Sequence, residues 1–240
     1  MNKKHNILAI IPARGGSKGI LKKNIKQLSG KPLIEYTINA AKQSKLINHL
    51  IVSTDDEDIK NISLQLNVDV PFLRPKHLAT DDSGSLGLVQ HALDFFEKKD
   101  LHFDAVVLLQ PTTPFRTKNL IDEAIKKFLH TECDALVSVL KVPHQYHPHW
   151  TFFTSKENFL RVSTGEQHII SRRQALPEAF FRDGSIYITK TEVIKKGSLY
   201  GKKLSYIENS DKFYVNIDTE KDWGMAELMV NEYVKSIKNG

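Results

Sequence analysis

The chain has 240 residues, of which 40% are hydrophobic and 26% charged, a composition typical of a folded globular protein that needs no disulfides for stability. The formal net charge of +6 comes from lysines spread along the whole chain, which argues against a nucleic-acid-binding role and favours a small anionic ligand at the densest cluster. No stretch reaches the roughly 18 apolar residues of a membrane span. The single cysteine, Cys133, is predicted to be a small core residue, and it cannot form an internal disulfide, so a cytoplasmic location is expected.

Apolar runs and helical periodicities alternate over the first two-thirds of the chain, as they do in βα units. Strands are predicted in NILAIIP, NHLIVSTD, FDAVVLLQP and DALVSVLKV, with a short extended segment in VDVPFLRP. Helices are predicted in GKPLIEYTINAAKQS, DEDIKNISLQL, TDDSGSLGLVQHALDFFEKK and LIDEAIKKFLH. Pro32 is expected to be the first residue of the first helix, and Asp55 or Asp56 is expected to cap the second. NILAIIP is continuously apolar, which indicates a strand buried on both faces.

The last third differs, because residues 143–176 are irregular and rich in aromatic residues and histidine. We interpret residues 143–171 as an arm that leaves the sheet and packs on another subunit. Further strands are predicted in GSIYITK and KFYVNIDT, and a closing amphipathic helix in EKDWGMAELMVNEYVKSIK. The predicted fold is a three-layer α/β domain with a mostly parallel sheet: residues 1–142 form the ligand-binding core, 143–171 the arm, and 172–240 the remainder of the core. In such sheets, ligands bind beyond the carboxyl ends of the strands.

The loop PARGGSKGILKKNI follows the first strand and combines glycines with arginine and lysines. It has neither the Walker A spacing nor the G-x-G-x-x-G spacing of dinucleotide-binding folds. Glycines allow successive backbone N–H groups to face one anion, and cations nearby add charge. The pattern therefore predicts an anion-binding loop, with a mobile basic loop as the alternative.

Six blocks together resemble a known family: PARGGSKGILKKNI, GKPLIEYTINAA, IVSTDD, RPKHLATDDS, LLQPTTPFRT and YVNIDTEKDW. In this order, and over nearly the full chain, they are similar to the CMP-N-acylneuraminate synthetases and their legionaminate and pseudaminate relatives. The resemblance implies a Rossmann-like nucleotidyltransferase fold and a homodimer with exchanged arms. It also implies transfer of CMP from CTP to the anomeric C2 hydroxyl of a nine-carbon 2-keto sugar acid, with Mg²⁺ and release of pyrophosphate.

The resemblance also implies roles for residues of the nucleotide site. Phosphate contacts are assigned to Arg14, Ser17, Lys23 and Asn24, with backbone donors from Gly15 and Gly16; the cytidine half is assigned to Arg74, Thr80 and Ser83. Arg14, Lys23 and Asp218 are expected to be catalytic, and the role of Lys23 is electrostatic. For Arg74, an ordinary salt bridge is the alternative.

Residues for the acceptor are carried over in the same way: Gln110, Arg173, Gln174 and Tyr187. A planar guanidinium such as that of Arg173 suits the carboxylate of a keto sugar acid. Enzymes that activate Kdo usually have an aspartate in the region of Gln110, so the glutamine favours the sialic-type branch. Asp183 and Trp150 stand where relatives often have asparagine and lysine, and these departures favour a legionaminate-type acceptor.

The metal site is assigned by resemblance to Asn216 and Asp218, where the family generally has two aspartates. On a strand, residues two apart project to the same side, so both side chains are expected to face one Mg²⁺ ion, with Asp218 as the principal ligand. The alternative for Asp218 is a cap of the last helix. Three functional alternatives also remain: a Kdo-activating enzyme, an enzyme that uses UTP, and a nucleotide-binding module without catalysis.

Overall fold

The structure is a computed structural model that describes residues 5–80 and 82–239. Its strands are β1 (Ile7–Pro12), β2 (Gln27–Leu28), β3 (Lys31–Pro32), β4 (His49–Ser53), β5 (Ala105–Leu108), β6 (Ala135–Lys141), β7 (Phe152–Thr154), β8 (Leu160–Val162), β9 (Phe180–Lys190) and β10 (Leu204–Glu208). Its α-helices are α1 (Leu33–Lys42), α2 (Glu57–Gln65), α3 (Ser85–Glu97), α4 (Leu120–His130), α5 (Thr191–Lys195) and α6 (Glu220–Asn239).

The main sheet has six strands in the order β10-β6-β9-β5-β1-β4. β1 pairs in parallel with β4 and β5, and β6 pairs in parallel with β10. β9 lies between β5 and β6 and is antiparallel to both. The prediction of a mostly parallel sheet is confirmed, and the carboxyl ends of β1, β4 and β5 share one edge.

Helices cover both faces of this sheet and produce three layers. Ile7, Ala9 and Ile11 of β1 face α1, α2 and α4, while Leu8 and Ile10 face α3 and α5. The first strand is therefore buried on both faces, as its apolar run predicts. Burying each such side chain contributes about 1.5–3 kcal/mol. Cys133 belongs to the same core and is an unpaired thiol.

The last helix packs outside the sheet on a third apolar cluster, which includes Trp223, Val230 and Tyr233 of α6. The strand predicted in KFYVNIDT is wrong, because residues 212–219 form no strand. Phe213, Val215 and Ile217 of this segment are buried, but they belong to the α6 cluster and pair with no neighbouring strand.

Smaller differences lie at the ends of elements. Pro32 is the N-cap of α1 rather than its first residue. Asp56, not Asp55, caps α2, and its side chain accepts a hydrogen bond from the Ile59 N–H. The sequence pattern did not predict the edge strand β10 or the short helix α5. In the described part of the chain, no helix is long and apolar enough to cross a membrane.

Residues 142–179 leave the main sheet between β6 and β9 and include a small antiparallel hairpin of β7 and β8. The predicted arm, residues 143–171, lies within this excursion, and its packing on another subunit stays a prediction. At its base, the Trp150 indole N–H donates to the Ile170 carbonyl at 2.6 Å. Several large apolar side chains of the arm are mostly exposed: Tyr146, Phe153, Phe159, Leu160 and Ile169.

Candidate active site

The loop after β1 is fixed at both ends by hydrogen bonds. Asn24, which is only 6% exposed, donates from its side-chain amide to the Arg14 carbonyl at 2.9 Å. The Gly15 N–H donates to Asp55 Oδ1 at 3.0 Å. This bond attaches the loop to the segment after β4, so the role of Gly15 as a phosphate donor stays a prediction.

Gly19 brings this loop against the segment that carries Asp218. A Cβ atom at Gly19 would lie 2.1 Å from the Asp218 carbonyl oxygen, closer than any real contact. Only glycine permits this approach of two backbones. By contrast, a Cβ at Gly16 would meet nothing within 4 Å.

A cleft of about 460 Å³ opens at the carboxyl ends of β1 and β5. It brings together most of the residues assigned to the site from the sequence: Arg14, Ser17, Lys23, Asn24, Arg74, Thr80, Ser83, Gln110, Asn216 and Asp218. It is also lined by residues that sequence reasoning did not assign: Pro12, Lys18, Gly19, Leu78, Ser85, Leu88, Pro111 and Thr112. Lys18, Gly19, Pro111 and Thr112 lie inside the motifs quoted above, whereas Ser85 and Leu88 belong to the helix pattern of α3, which gave no functional signal.

Lys23, Asn216 and Asp218 form a hydrogen-bonded group at one side of the cleft. Lys23 Nζ donates to Asp218 Oδ1 at 3.0 Å and to the Ile217 carbonyl at 2.7 Å. The Asn216 side-chain amide donates to Asp218 Oδ2 at 2.8 Å. The Lys23 side chain is 12% exposed and that of Asp218 62%, so the carboxylate is open to the cleft. The two side chains expected to face one ion do meet, although their segment is not a strand.

Asp218 does not cap α6 in this structure. Asp222, in the first turn of α6, accepts from the backbone N–H groups of Asp218 and Thr219 at 3.1 and 2.8 Å. Burial acts to raise the pKa of Asp222, but hydrogen bonds from the Thr219 hydroxyl and from these two N–H groups together lower it. Asp222 therefore supports the backbone of Asp218 and leaves its carboxylate for other contacts.

Arg74 is 5% exposed and also lines the cleft. Its Nε donates to Ser53 Oγ at 3.1 Å and its Nη2 to the Ser53 carbonyl. Burial lowers its pKa to about 10, an effect that the Asp55 carboxylate opposes and Arg14 reinforces. Arg74 is therefore still a cation at neutral pH.

Thr80 and Ser83 lie in the same part of the cleft as Arg74. Their hydroxyl oxygens are 2.7 Å apart, and Ser83 donates to the His77 carbonyl at 2.7 Å. The pair forms a small polar surface that suits hydroxyl or amide groups of a ligand.

The residues predicted for the acceptor do not all reach the cleft. Gln110 lines it, whereas Arg173, Gln174 and Tyr187 are not among its lining residues. Arg173 begins a short 3₁₀ turn, Arg173–Ala175, and lines a separate cavity of about 140 Å³ with Lys141. Tyr187 is on β9 opposite Leu108, where burial raises the pKa of its phenol.

Asp183 is buried at 1% exposure and is not a ligand contact. Its carboxylate accepts hydrogen bonds from Ser138 Oγ, from the Ser185 N–H at 3.0 Å and from the Asn209 amide at 2.6 Å. The departure noted at this position therefore lies inside the fold, on β9. In this conformation, Asp183 offers no direct argument about the acceptor.

A magnesium ion at Asp218 and Asn216 stays a prediction. Within residues 5–80 and 82–239, no group of three or more His, Cys, Asp or Glu side chains is arranged to hold a metal by itself. Mg²⁺ in nucleotide sites is usually held by one or two protein carboxylates, with phosphates and water completing the octahedron. Asp218 offers one exposed carboxylate beside the cleft, and its two oxygens accept hydrogen bonds from Lys23 and from the Asn216 amide in this structure. A metal here would require these hydrogen bonds to be exchanged.

Comparisons with known proteins agree with this geometry. The sequence profile of a family described as "Cytidylyltransferase" matches residues 8–224. The chain is 37% identical to CMP-N,N'-diacetyllegionaminic acid synthase of Legionella pneumophila over 227 residues, which cover 93% of this chain and 96% of that protein. It is 31% identical to a pseudaminic acid cytidylyltransferase of Campylobacter jejuni, with 92% and 95% covered.

Two further matches extend the comparison. N-acylneuraminate cytidylyltransferase A of Danio rerio is 33% identical, with 95% of this chain and 51% of that protein covered. The solved structure of a CMP:2-keto-3-deoxy-manno-octonic acid synthetase complexed with CTP matches with a TM-score of 0.72 over 95% of this chain and 99% of that one. Because the two sequences are only 13% identical, this match shows a shared fold and nothing more. From the family profile and the full-length relatives, the chain belongs to the cytidylyltransferase family of nucleotidyltransferases.

Proposed function

We propose that this enzyme transfers CMP from CTP to the anomeric C2 hydroxyl of a nine-carbon 2-keto sugar acid and releases pyrophosphate. The observation that carries the proposal is the cleft in which Arg14, Lys23 and Arg74 converge beside Asp218. Such a site provides several cations for a triphosphate and one exposed carboxylate for a metal. The names of the relatives support an acid of the legionaminate, pseudaminate or N-acylneuraminate type, and the legionaminate type is our first choice.

In this proposal, Arg14, Ser17 and Lys23 bind the phosphates, and Arg74 with Thr80 and Ser83 holds the cytidine half. The C2 hydroxyl gives its proton to solvent, and its oxygen forms a bond to the α-phosphorus. The bond from the α-phosphorus to the oxygen that bridges to the β-phosphate breaks, and pyrophosphate leaves with the electron pair. Cations already in place stabilise the leaving charge without rearrangement.

Asp218 and Asn216 are the residues that would hold Mg²⁺. When bound, Mg²⁺ would neutralise phosphate charge as a Lewis acid. Lys23 must exchange its bond to Asp218 for a phosphate oxygen, which keeps its charge paired before and after the nucleotide binds. Gln110 presents an amide that can donate to and accept from a sugar hydroxyl.

The test is release of labelled pyrophosphate from γ-labelled CTP with a panel of acids: legionaminate, pseudaminate, N-acetylneuraminate and Kdo. Release with a nine-carbon acid and its loss in Asp218→Ala support the proposal. Release only with Kdo would favour the Kdo alternative. CTP binding without turnover on any acid would favour a module without catalysis.

Nucleotide choice is tested separately by competition binding with CTP, UTP and GTP. We expect CTP to bind most tightly, since the relatives activate their sugars as CMP derivatives. Preference for UTP would refute the assignment of CTP.

We further propose that two copies of the chain form a dimer through the arm of residues 143–171. Phe153 and Phe159 of the hairpin are 69% and 71% exposed, and apolar surface of this kind marks an interface. Sedimentation should give twice the mass of the chain for the wild type and a lower mass for Phe153→Ser/Phe159→Ser. Leu228→Ser is the control, because Leu228 is an exposed apolar residue of α6, outside the arm. An unchanged mass in the double variant would refute the arm as the interface.

Exchange of this segment between the two copies would also explain why Arg173 does not line the cleft of its own chain. We propose that the excursion of residues 142–179 presents the Arg173 guanidinium to the cleft of the second copy. Arg173→Ala and Asp218→Ala should each be inactive, and co-expression of the two should restore part of the activity. No recovery in verified mixed dimers would place both groups in one chain.

The cytoplasmic location stays part of the proposal. It is supported by Cys133, which is unpaired and buried.

A further inference from the structure

Arg116 is a buried arginine that does not line the cleft. It lies between β5 and α4 and is 1% exposed. Its Nη2 donates to the carbonyls of Gln110 and Ser185, both at 2.8 Å. Its Nη1 donates at 2.9 Å to Thr37 Oγ1 and to the Thr113 carbonyl. Its Nε donates to the Ser185 carbonyl at 3.1 Å.

All of these acceptors are neutral oxygen atoms. Burying a cation without a carboxylate in contact is costly unless its hydrogen bonds are nearly all made. Burial lowers the pKa of Arg116 to about 10, against the effects of Tyr233 and Asp183, so the group remains protonated at neutral pH. A buried apolar side chain would avoid this cost, so the arginine needs an explanation other than packing.

The guanidinium holds the loop of residues 110–113 to two other elements. It connects the carbonyls of Gln110 and Thr113 to Ser185 of β9 and to Thr37 of α1. Thr113 Oγ1 also donates to the Gly184 carbonyl at 3.1 Å. The rigid fork of an arginine can make these contacts together, whereas a lysine cannot reproduce them.

This loop forms part of the cleft wall and supports the opposite side. Gln110 and Thr112 line the cleft. The Thr112 carbonyl accepts a hydrogen bond from the Ile217 N–H at 2.8 Å, which lies between Asn216 and Asp218. The side chain of Gln110 rests against Gly184, where a Cβ would lie 3.2 Å from Gln110 Oε1. Displacing the loop would therefore move Gln110 and the Asp218 segment together.

We propose that Arg116 is a positioning residue for cytidylyl transfer, which fixes Gln110 and, through Thr112 and Ile217, the carboxylate of Asp218. It does not line the cleft and acts only through the loop of residues 110–113. The inference rests on the proposed function. It extends that function by assigning the geometry of the acceptor side to a residue outside the cleft.

The experiment compares Arg116→Lys with Tyr233→Phe. Tyr233 donates to the Arg116 carbonyl at 2.9 Å, so its loss weakens the same region without touching the guanidinium contacts. For both variants, urea unfolding, the dissociation constant of CTP, and kcat and KM for the acceptor are measured.

We expect kcat/KM for the acceptor to fall roughly 10- to 100-fold in Arg116→Lys, because displacements of about 1 Å have effects of that size. CTP affinity measured without Mg²⁺ should change little, since Arg14, Lys23 and Arg74 lie on other segments. Tyr233→Phe should lose stability and keep its kcat/KM. Wild-type kcat/KM in Arg116→Lys, or a loss of activity that follows stability equally in both variants, would overturn the proposal.

A second variant and an NMR measurement complete the test of Arg116. If Arg116→Lys does not fold, Thr37→Val removes a single acceptor of the guanidinium and is evaluated by the same criteria. The amide NMR signals of Gln110 and Asp218 provide a readout without turnover, and they should shift in Arg116→Lys but not in Tyr233→Phe. An inactive wild type would refute the proposed function, whereas unshifted signals would refute the positioning role.

Discussion

Replacing Gly19 by alanine tests the close contact between the loop after β1 and the segment that carries Asp218. The added methyl group would lie 2.1 Å from the carbonyl oxygen of Asp218 and 3.3 Å from its carbonyl carbon. Both are backbone atoms, so no change of rotamer can relieve the overlap. The loop after β1 and the segment of Asp218 must therefore move apart.

The size of the movement follows from the contact distance. Carbon and oxygen atoms approach to about 3.3 Å at the closest in folded proteins, so the two backbones must separate by about 1 Å. Overpacking of this kind typically costs about 1–3 kcal/mol of the free energy of unfolding. A misplacement of about 1 Å between catalytic groups can reduce the rate by about 100-fold, and Lys23 and Asp218 lie on the two parts that separate.

The assay is kcat/KM for pyrophosphate release, together with urea unfolding to measure stability. Gly224→Ala is the matched control, since a Cβ at this position in α6 meets nothing within 4 Å. The control should keep its activity and gain up to about 1 kcal/mol of stability from its better helix propensity. Wild-type kcat/KM in Gly19→Ala would show that the close approach is unnecessary, and an equal loss in the control would refute the local explanation.

Three more changes test separate parts of the site and fold. Lys23→Ala should reduce kcat by roughly two to three orders of magnitude through loss of a preorganised cation. Lys22→Ala is the control and should keep its kcat, because Lys22 is exposed and pairs with Asp58 outside the cleft. If the two variants have the same kcat, Lys23 is not part of the site. Asn216→Asp should lower the Mg²⁺ dissociation constant in the presence of CTP by about tenfold, measured by calorimetry, because a second carboxylate adds ligand charge; unchanged affinity would count against a metal beside Asp218. Asp56→Ala removes the side-chain cap of α2 and should cost about 1 kcal/mol in urea unfolding, and an unchanged midpoint would contradict the importance of this cap.

The central strands and the helices could be predicted because their patterns are local. β1 shows that a continuous apolar run indicates burial on both faces, and the helices α1 and α4 follow their 3.6-residue periodicity. The wrong strand at residues 212–219 shows the limit of the same reasoning. Phe213, Val215 and Ile217 alternate with more exposed residues as on a strand, but alternation reports only that one side of an extended segment is buried. The alternation does not show whether another strand or a helix covers that side.

Most of the residues that line the cleft were also accessible from the sequence, because they lie in short motifs at strand ends, while their roles toward a nucleotide stay predictions. The acceptor side was not accessible in this way, and Arg173 shows why. Its position depends on the path of residues 142–179, which have few contacts that a pattern of single residues could reveal. Arg116 was overlooked for another reason: although it is in the LLQPTTPFRT motif, only its full burial and its neutral partners distinguish it from a surface arginine.

The three segments that form the cleft are joined largely through backbone atoms. Gly19 contacts the Asp218 carbonyl, the Thr112 carbonyl accepts from the Ile217 N–H, and Lys23 donates to the Ile217 carbonyl. Backbone groups are the same for nearly every residue, so the side chains at positions 112 and 217 carry no signal of these bonds. The sequence must keep glycine at position 19, together with residues such as Arg116 that hold these segments in place. The site therefore depends on contacts between protein segments as well as on side chains that bind a substrate. Substitutions at Gly19 and Arg116 should affect catalysis as strongly as many substitutions of substrate-binding side chains.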